Sequence, residues 1–349
     1  MRAKPLAAVR RTVVTAALCL LAAPEGLAAG QGVGAAAIPA SAVPSPAAVS
    51  VLPAPGGATI LASTASAPSR KGRRRRPRRR ARREVVRLPA VTPHGIPRLH
   101  VKAAYVVDAT NNRVLFQKNP ERSFPIASLT KLMTALVFFD LKPEFDRVVE
   151  ITAQDKRLSS RSHLRIGEEI SVRDLIHAAL MSSDNVATKA LVRTSGLPYD
   201  DFIARMNGKA AALDLQGARF TEVTGLDERN VATATDCARI LRAASANPVV
   251  SAIMQKPTYE FTSNRRRHAL VNTNRLLRSK WRVTAGKTGF ISESGYCLAT
   301  NVETTSGTEI TAVLLGAPSN ALRFAEARRL LDWSYRFGLD RGESRASED

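Results

Sequence analysis

The chain has 349 residues, 44% hydrophobic and 23% charged, enough to bury a full core in one or two domains. Its 52 Lys and Arg against 30 Asp and Glu give a formal net charge of +22, but eleven of those cations fall in residues 70–83, where no acid accompanies them; the rest is only moderately basic. The histidines, His94, His100, His163, His177 and His268, show no metal-ligand spacing, which argues against a metallo-peptidase and for chemistry without a metal or cofactor.

At the N-terminus, Arg2, Lys4, Arg10 and Arg11 precede an uncharged apolar run from Val13 to Ala23, followed by the small residues Gly26, Ala28 and Ala29. Residues 1–29 therefore read as a cleaved export signal, since the run is far short of the roughly 20 residues that span a membrane. Cys19 raises lipidation, but Leu18 stands where a small residue should precede such a cysteine. Export places the protein in the periplasm or cell envelope, where Cys237 and Cys297 could pair; both sit in apolar contexts, and buried free thiols are the better reading.

Residues 30–99 read as a disordered linker: 30–68 are nearly all Ala, Pro, Gly, Ser and Val without charge, and 70–83 form an Arg-rich block. Such a block has no apolar surface to bury and its charges repel, so it serves as a tether or an electrostatic foot. In an exported protein its partner would be an anionic envelope surface, each cation contributing ~1 kcal/mol there and giving peripheral membrane association. Nucleic acid is excluded as partner, because the block lacks aromatic residues for stacking. A solvated linker with no partner is the plain alternative.

From residue 100 the pattern becomes globular. Val101 to Asp108, a turn at Asn111-Asn112, and Arg113 to Gln117 predict an antiparallel hairpin. Helical period then begins near Ser128, through Leu132, Met133, Leu136 and Val137, which puts Lys131 one turn on and on the same face. Ser171-Val-Arg-Asp174 predicts a capping box opening a helix that stops at Ser182-Ser183, and a second helix follows from Val186 to Val192. Further helices are expected at 199–213 and 235–245, the latter capped by Thr233 or Thr235. Strands return at Arg282 to Lys287, Gly295 to Val302 and Glu309 to Gly316, and an amphipathic helix closes the domain over Asn320 to Phe337. The pattern predicts an α/β (α+β) fold, an antiparallel sheet built from the termini and flanked by helices, with a largely helical inserted subdomain between residues 120 and 260.

Three strings carry chemistry: Ser128-Leu-Thr-Lys131, Ser183-Asp184-Asn185 and Lys287-Thr288-Gly289. Singly, each has a structural reading as helix cap, turn or strand end; in order, they supply a complete acyl-transfer site. Ser128 is the nucleophile and Lys131 its base, provided that burial and neighbouring cations such as Lys287 lower the lysine from its ordinary pKa of ~10.4. Ser183 relays the proton to the leaving amine, and Asn185 offers an amide to a peptide backbone. Lys287 and Thr288 suit a carboxylate, Gly289 lets a substrate strand approach, and the N–H groups of Ser128 and Phe290 form the natural oxyanion pair.

This ordered triple is the signature of serine β-lactamases and penicillin-binding proteins. With Pro125-Ile-Ala-Ser-Leu-Thr-Lys-Leu-Met-Thr134, Leu180-Met-Ser-Ser-Asp-Asn185, Thr224-Gly-Leu-Asp227, Asn272-Thr-Asn-Arg-Leu-Leu277, Gly286-Lys-Thr-Gly-Phe290 and Gly295-Tyr-Cys-Leu298, residues 100–338 resemble the low-molecular-mass penicillin-binding proteins, the D-alanyl-D-alanine carboxypeptidases and endopeptidases. The resemblance implies a serine β-lactamase/transpeptidase-like fold, peptidoglycan peptide stems as substrate and β-lactams as covalent inhibitors. It implies Ser128 as the acyl-enzyme serine, Lys131 as its base, Ser183 as catalytic partner and Lys287 as the carboxylate contact.

Many carboxypeptidases of that family carry a further β-domain and an anchor, whereas a polar tail at 339–349 follows here; with the segment Leu164 to Ser171, this is more similar to the soluble endopeptidase branch. Two other readings share the motifs. A serine β-lactamase needs a carboxylate to activate water, for which Glu222 lies in the right interval, and a non-catalytic β-lactam-binding wall protein would keep its effect in Ser128→Ala.

Overall fold

Strands from both ends of the described chain form one antiparallel sheet in the computed structural model, which describes residues 97–157 and 162–338. The expected export signal at 1–29, the expected linker as far as residue 96 with its Arg70–Arg83 block, and the tail at 339–349 lie outside the described residues. Strands β1 (Ala103–Asp108) and β2 (Val114–Lys118) make the expected hairpin, with Asn112 at a φ of 60°, a conformation that asparagine tolerates. The chain then leaves through β3 (Phe124–Pro125) and a 3-10 turn, Ala127–Leu129, into α1 (Thr130–Asp140).

The insertion continues with β4 (Val148–Glu150), α2 (Ala153–Lys156), β5 (Glu169–Ser171), α3 (Val172–Met181), α4 (Asn185–Thr194) and α5 (Tyr199–Ala212). After β6 (Val231–Ala232), paired with β3, come α6 (Ala234–Ser245), α7 (Pro248–Gln255) and the hairpin of β7 (Thr258–Thr262) with β8 (Arg267–Val271). The sheet is completed by β9 (Arg282–Ile291), β10 (Gly295–Glu303) and β11 (Glu309–Ala317), in the order β2-β1-β11-β10-β9, and α8 (Asn320–Trp333) packs behind it. A π turn, Ser334–Gly338, ends the helix that the periodicity extended to Phe337.

Side chains alternate across a strand, and here each face buries its own core. Ala103, Ala299 and Val313 face the helical insertion, whereas their chain neighbours Ala104, Leu298 and Leu314 face Phe324, Leu330 and Leu331 of α8. Each large side chain so buried contributes ~1.5–3 kcal/mol, and a one-residue slip would exchange the two sets, so the register is tightly specified. Cys237 and Cys297 belong to the insertion-side core as buried free thiols, as expected.

Helix starts follow local chemistry. Thr233 and Asp236 form a reciprocal capping box on α6. On α3 only half of the expected box forms: Ser171 Oγ accepts from Asp174 N at 3.1 Å, but the Asp174 carboxylate accepts from Ser171 Oγ at 2.6 Å and Tyr259 Oη at 2.7 Å instead of the cap backbone. The β7–β8 hairpin thereby claims that carboxylate and is fastened to α3.

Candidate active site

The serine sits in a strained turn. Ala127, fully buried, takes a φ of 47°, which costs a non-glycine residue on the order of 1 kcal/mol or more. Ser128 lies in the 3-10 turn, and the α-helix starts at Thr130, two residues later than expected; Lys131 still falls within reach. Two glycines wall the turn. A Cβ on Gly225 would stand 1.9 Å from Ala127 O, and one on Gly289 would stand 2.8 Å from Ile126 O and 3.1 Å from Ser128 N. Gly289 is therefore demanded by the packing of β9 on the serine turn, a reason beside the expected one that it lets a substrate strand approach.

Lys131 is 1% exposed, and its ammonium nitrogen has three neighbours: Ser128 Oγ at 3.0 Å, Asn185 Oδ1 at 2.6 Å and Thr224 O at 2.7 Å. Two of these, the amide oxygen and the carbonyl, can only accept. A neutral Lys131 therefore spends its two N–H bonds on them and turns its lone pair to Ser128. Burial lowers its pKa to about 8; Glu222 and Asp184 oppose the shift, and Lys189 reinforces it. Near neutrality roughly a tenth of the amine is thus free to act as base.

Helix α3 ends in a bend at Ser183, whose φ of 63° is left-handed. Asp184 then caps α4, accepting from Val186 N at 2.8 Å and Ala187 N at 3.0 Å, while Ser162 Oγ donates to its other oxygen at 2.8 Å. This middle residue of the string is structural, and it turns its neighbours into the cleft: Asn185 to Lys131, and Ser183 to Lys287.

Lys287, 1% exposed, lies on edge strand β9 and donates to Ser183 Oγ at 2.7 Å and Thr288 O at 3.1 Å. Burial, then repulsion from Lys131 and Arg323, holds it well below the ordinary lysine pKa. Thr288 Oγ1 donates to Thr273 Oγ1 at 2.7 Å, which in turn donates to Met181 O at 3.2 Å. Phe290 is 51% exposed and stacks on Tyr296 with centroids 4.2 Å apart. Beneath them the buried Arg323 guanidinium lies 5.4 Å from the Tyr296 ring and donates to Gly289 O at 3.0 Å and Cys297 O at 2.9 Å, pinning β9 to β10.

Of the eight residues singled out from the sequence, Ser128, Lys131 and Asn185 meet directly, Lys287 meets Ser183, and Gly289 packs on the serine turn, whereas Thr288 turns to Thr273 and Phe290 to Tyr296 and both join the others through β9 alone. Sequence reasoning quoted Thr224 and Thr273 in the strings that carry the resemblance but gave them no role, and it missed Arg323; their contributions run through a carbonyl, a hydroxyl bridge and a buried cation. Both carboxylate oxygens of Glu222 are engaged by its own loop, accepting from Thr224 N at 2.7 Å and Leu226 N at 2.9 Å among others, which argues against a role as the water-activating base of a β-lactamase. Among the described residues no cluster of three or more His, Cys, Asp or Glu is placed to hold a metal ion.

A nucleophile, an amine base and a cation-lined edge strand on this sheet define a serine acyl-transferring hydrolase. Residues 90–319 match the D-alanyl-D-alanine carboxypeptidase family of serine peptidases, and the chain belongs to that family. It is similar to the D-alanyl-D-alanine endopeptidase of Pseudomonas aeruginosa, 37% identical over 238 residues that cover 66% of this chain and 76% of that protein. The D-alanyl-D-alanine endopeptidase of Escherichia coli is 33% identical over 261 residues, 71% of this chain and 82% of that one. A Streptomyces DD-transpeptidase of known structure, 24% identical, shares the fold at a TM-score of 0.65 over 68% of this chain and 98% of its own. The protein is a serine D,D-peptidase, with peptidoglycan peptides as substrates and β-lactams as ligands.

Proposed function

We propose that this D,D-peptidase acts chiefly as an endopeptidase, cleaving D-alanyl cross-links between peptidoglycan strands through an acyl-enzyme on Ser128. The observation that carries the chemistry is the Lys131 amine, held between two pure acceptors with its third direction on Ser128 Oγ. Ser128 Oγ attacks the D-alanyl carbonyl while its proton passes to neutral Lys131. The carbonyl oxygen takes up the electron pair and is met by the N–H groups of Ser128 and Phe290, a pairing supported by the packing of β9 on the serine turn, so tight at Gly289 that an added Cβ would stand 3.1 Å from Ser128 N. As the C–N bond breaks, the leaving amine receives a proton through Ser183, which Lys287 polarises at 2.7 Å. Water, deprotonated by Lys131, then releases the acyl group and restores the serine.

Lys287 and Thr288 would hold the carboxylate on the leaving residue, a group present both at a terminal D-Ala and on a cross-linking diamino acid. Preference for the cross-link is supported by the names of the similar proteins above. The export signal and the Arg70–Arg83 block support an envelope location with electrostatic attachment to an anionic surface. The test is incubation of the purified protein with cross-linked muropeptide dimers and with monomeric pentapeptides, products being read by mass. Monomers from dimers are expected; release of D-Ala alone would refute the endopeptidase preference.

A further inference from the structure

The proposed mechanism leaves Glu222 without a part, yet its carboxylate gathers more donors than any other group near the cleft described above. One oxygen accepts from Thr224 N at 2.7 Å and Thr224 Oγ1 at 2.6 Å; the other accepts from Leu226 N at 2.9 Å, Asn230 Nδ2 at 2.9 Å and, closer still, Gly225 N. The fully buried Asn230 closes the same loop, receiving Thr221 N at 2.7 Å and Glu222 N at 3.1 Å and giving Nδ2 to Glu222 O at 2.8 Å. This is a carboxylate used as a template for backbone N–H groups, and the turn it shapes serves one purpose. Val223 O receives Thr134 Oγ1 at 2.6 Å, Thr224 O receives Lys131 Nζ at 2.7 Å, and Gly225 lies against Ala127 O beside the nucleophile.

We infer that Glu222 is a positioning residue for acylation, acting through Lys131 in two ways: it folds the turn that supplies one of the amine's two pure acceptors, and it places a full negative charge behind that amine. The inference rests on the serine–lysine reading of the site. The charged groups bearing on Lys131 are Asp184 and Lys189 from α4 and its cap, Lys287 from β9, and Glu222 from the loop; Glu222 is foremost among the charges that oppose burial. Without its charge, Lys131 would lose its proton more readily. Without its hydrogen bonds, the Thr224 carbonyl would drift, and the lone pair would no longer be held on Ser128. The two effects separate in a pH profile, since the first moves the acid limb and the second lowers the plateau.

The experiment is the second-order rate of acylation by benzylpenicillin between pH 5 and 10 for the wild-type chain, Glu222→Gln and Thr224→Val, with thermal midpoints recorded alongside. If the wild-type protein forms no adduct, the underlying reading of the site fails. Given a wild-type adduct, Glu222→Gln is expected to lower the plateau at least about tenfold and to move the acid limb down by about half to one pH unit. A limb that stays in place or moves up, as mere loosening and hydration of the lysine would cause, overturns the inference. Thr224→Val keeps the charge and removes one hydroxyl from the carboxylate's grip; it is expected to lower the plateau severalfold with the limb unmoved. A Thr224→Val plateau equal to wild type overturns the positioning role even if Glu222→Gln does not fold.

Discussion

Lys287 Nζ donates to Ser183 Oγ across 2.7 Å, joining the edge strand of the sheet to the bend that ends α3. The serine proposed to serve the leaving group is thereby set by a cation more than a hundred residues away in the chain. Ser183→Ala is expected to lower peptide hydrolysis by about 10²–10³-fold, the usual worth of a positioned proton carrier, while the thermal midpoint moves by only a few degrees. Steady-state kinetics on muropeptides with a parallel melt checks this; hydrolysis within threefold of wild type would remove Ser183 from the path.

Acylation should rise with pH. Lys131 acts as base only when neutral, and burial brings its pKa to about 8. Below that value the rate is expected to climb about tenfold per unit of pH, and above it to level off. Lys131→Met, which removes the base at similar length, should suppress covalent labelling by more than about a thousandfold. Labelled benzylpenicillin followed by mass gives both readings.

Gly289→Ala should damage the site without touching a polar group. The added methyl would meet Ile126 O at 2.8 Å and Ser128 N at 3.1 Å, so either β9 or the serine turn must move. Overpacking of this kind costs ~1–3 kcal/mol, and a shifted nucleophile loses ~100-fold or more in rate. A melt and a labelling assay on the same preparation test it.

Acid should weaken the fold through Glu168. Burial alone would raise this carboxyl, but bonds from Arg165 N at 2.7 Å, Ser263 Oγ at 2.8 Å and His268 Nε2 at 2.7 Å outweigh it and hold the pKa down to about 2. The folded state therefore binds this proton less readily than the unfolded chain. The resulting stability, on the order of 3 kcal/mol, is fully present above about pH 5 and is lost as pH falls towards 2. Urea midpoints measured from pH 7 to 3 should fall more steeply in the wild-type protein than in Glu168→Gln, which has no proton to take up.

Much of this was legible in the sequence because side-chain period and short strings act locally. The alternation in Val101 to Asp108 and Gly295 to Val302 announced the sheet, and Thr233 announced α6. The hairpin at Thr258–Thr262 and Arg267–Val271 was not seen, since its strands bury few side chains, Phe261 on one and His268 and Leu270 on the other, and expose apolar ones such as Ala269 and Val271 beside polar ones. Helix α7 was missed as well, because Pro248 to Gln255 is short and follows α6 almost without a break. In the site, residues acting through side chains in strings were found. Thr224, which acts through its carbonyl, was quoted in a string without a role, and Arg323, which acts from behind the sheet, was not found, because such roles exist only once distant segments meet.

The pocket that confines Ser128 is closed by glycines 97 and 161 positions downstream, one on the loop after α5 and the other on β9. The nucleophile's surroundings are therefore complete only when β9, made long after the serine turn, has docked and walled that turn on its second side. A partly made chain holds the reactive hydroxyl and its amine but not their geometry, so hydrolytic competence arrives with completion of the domain.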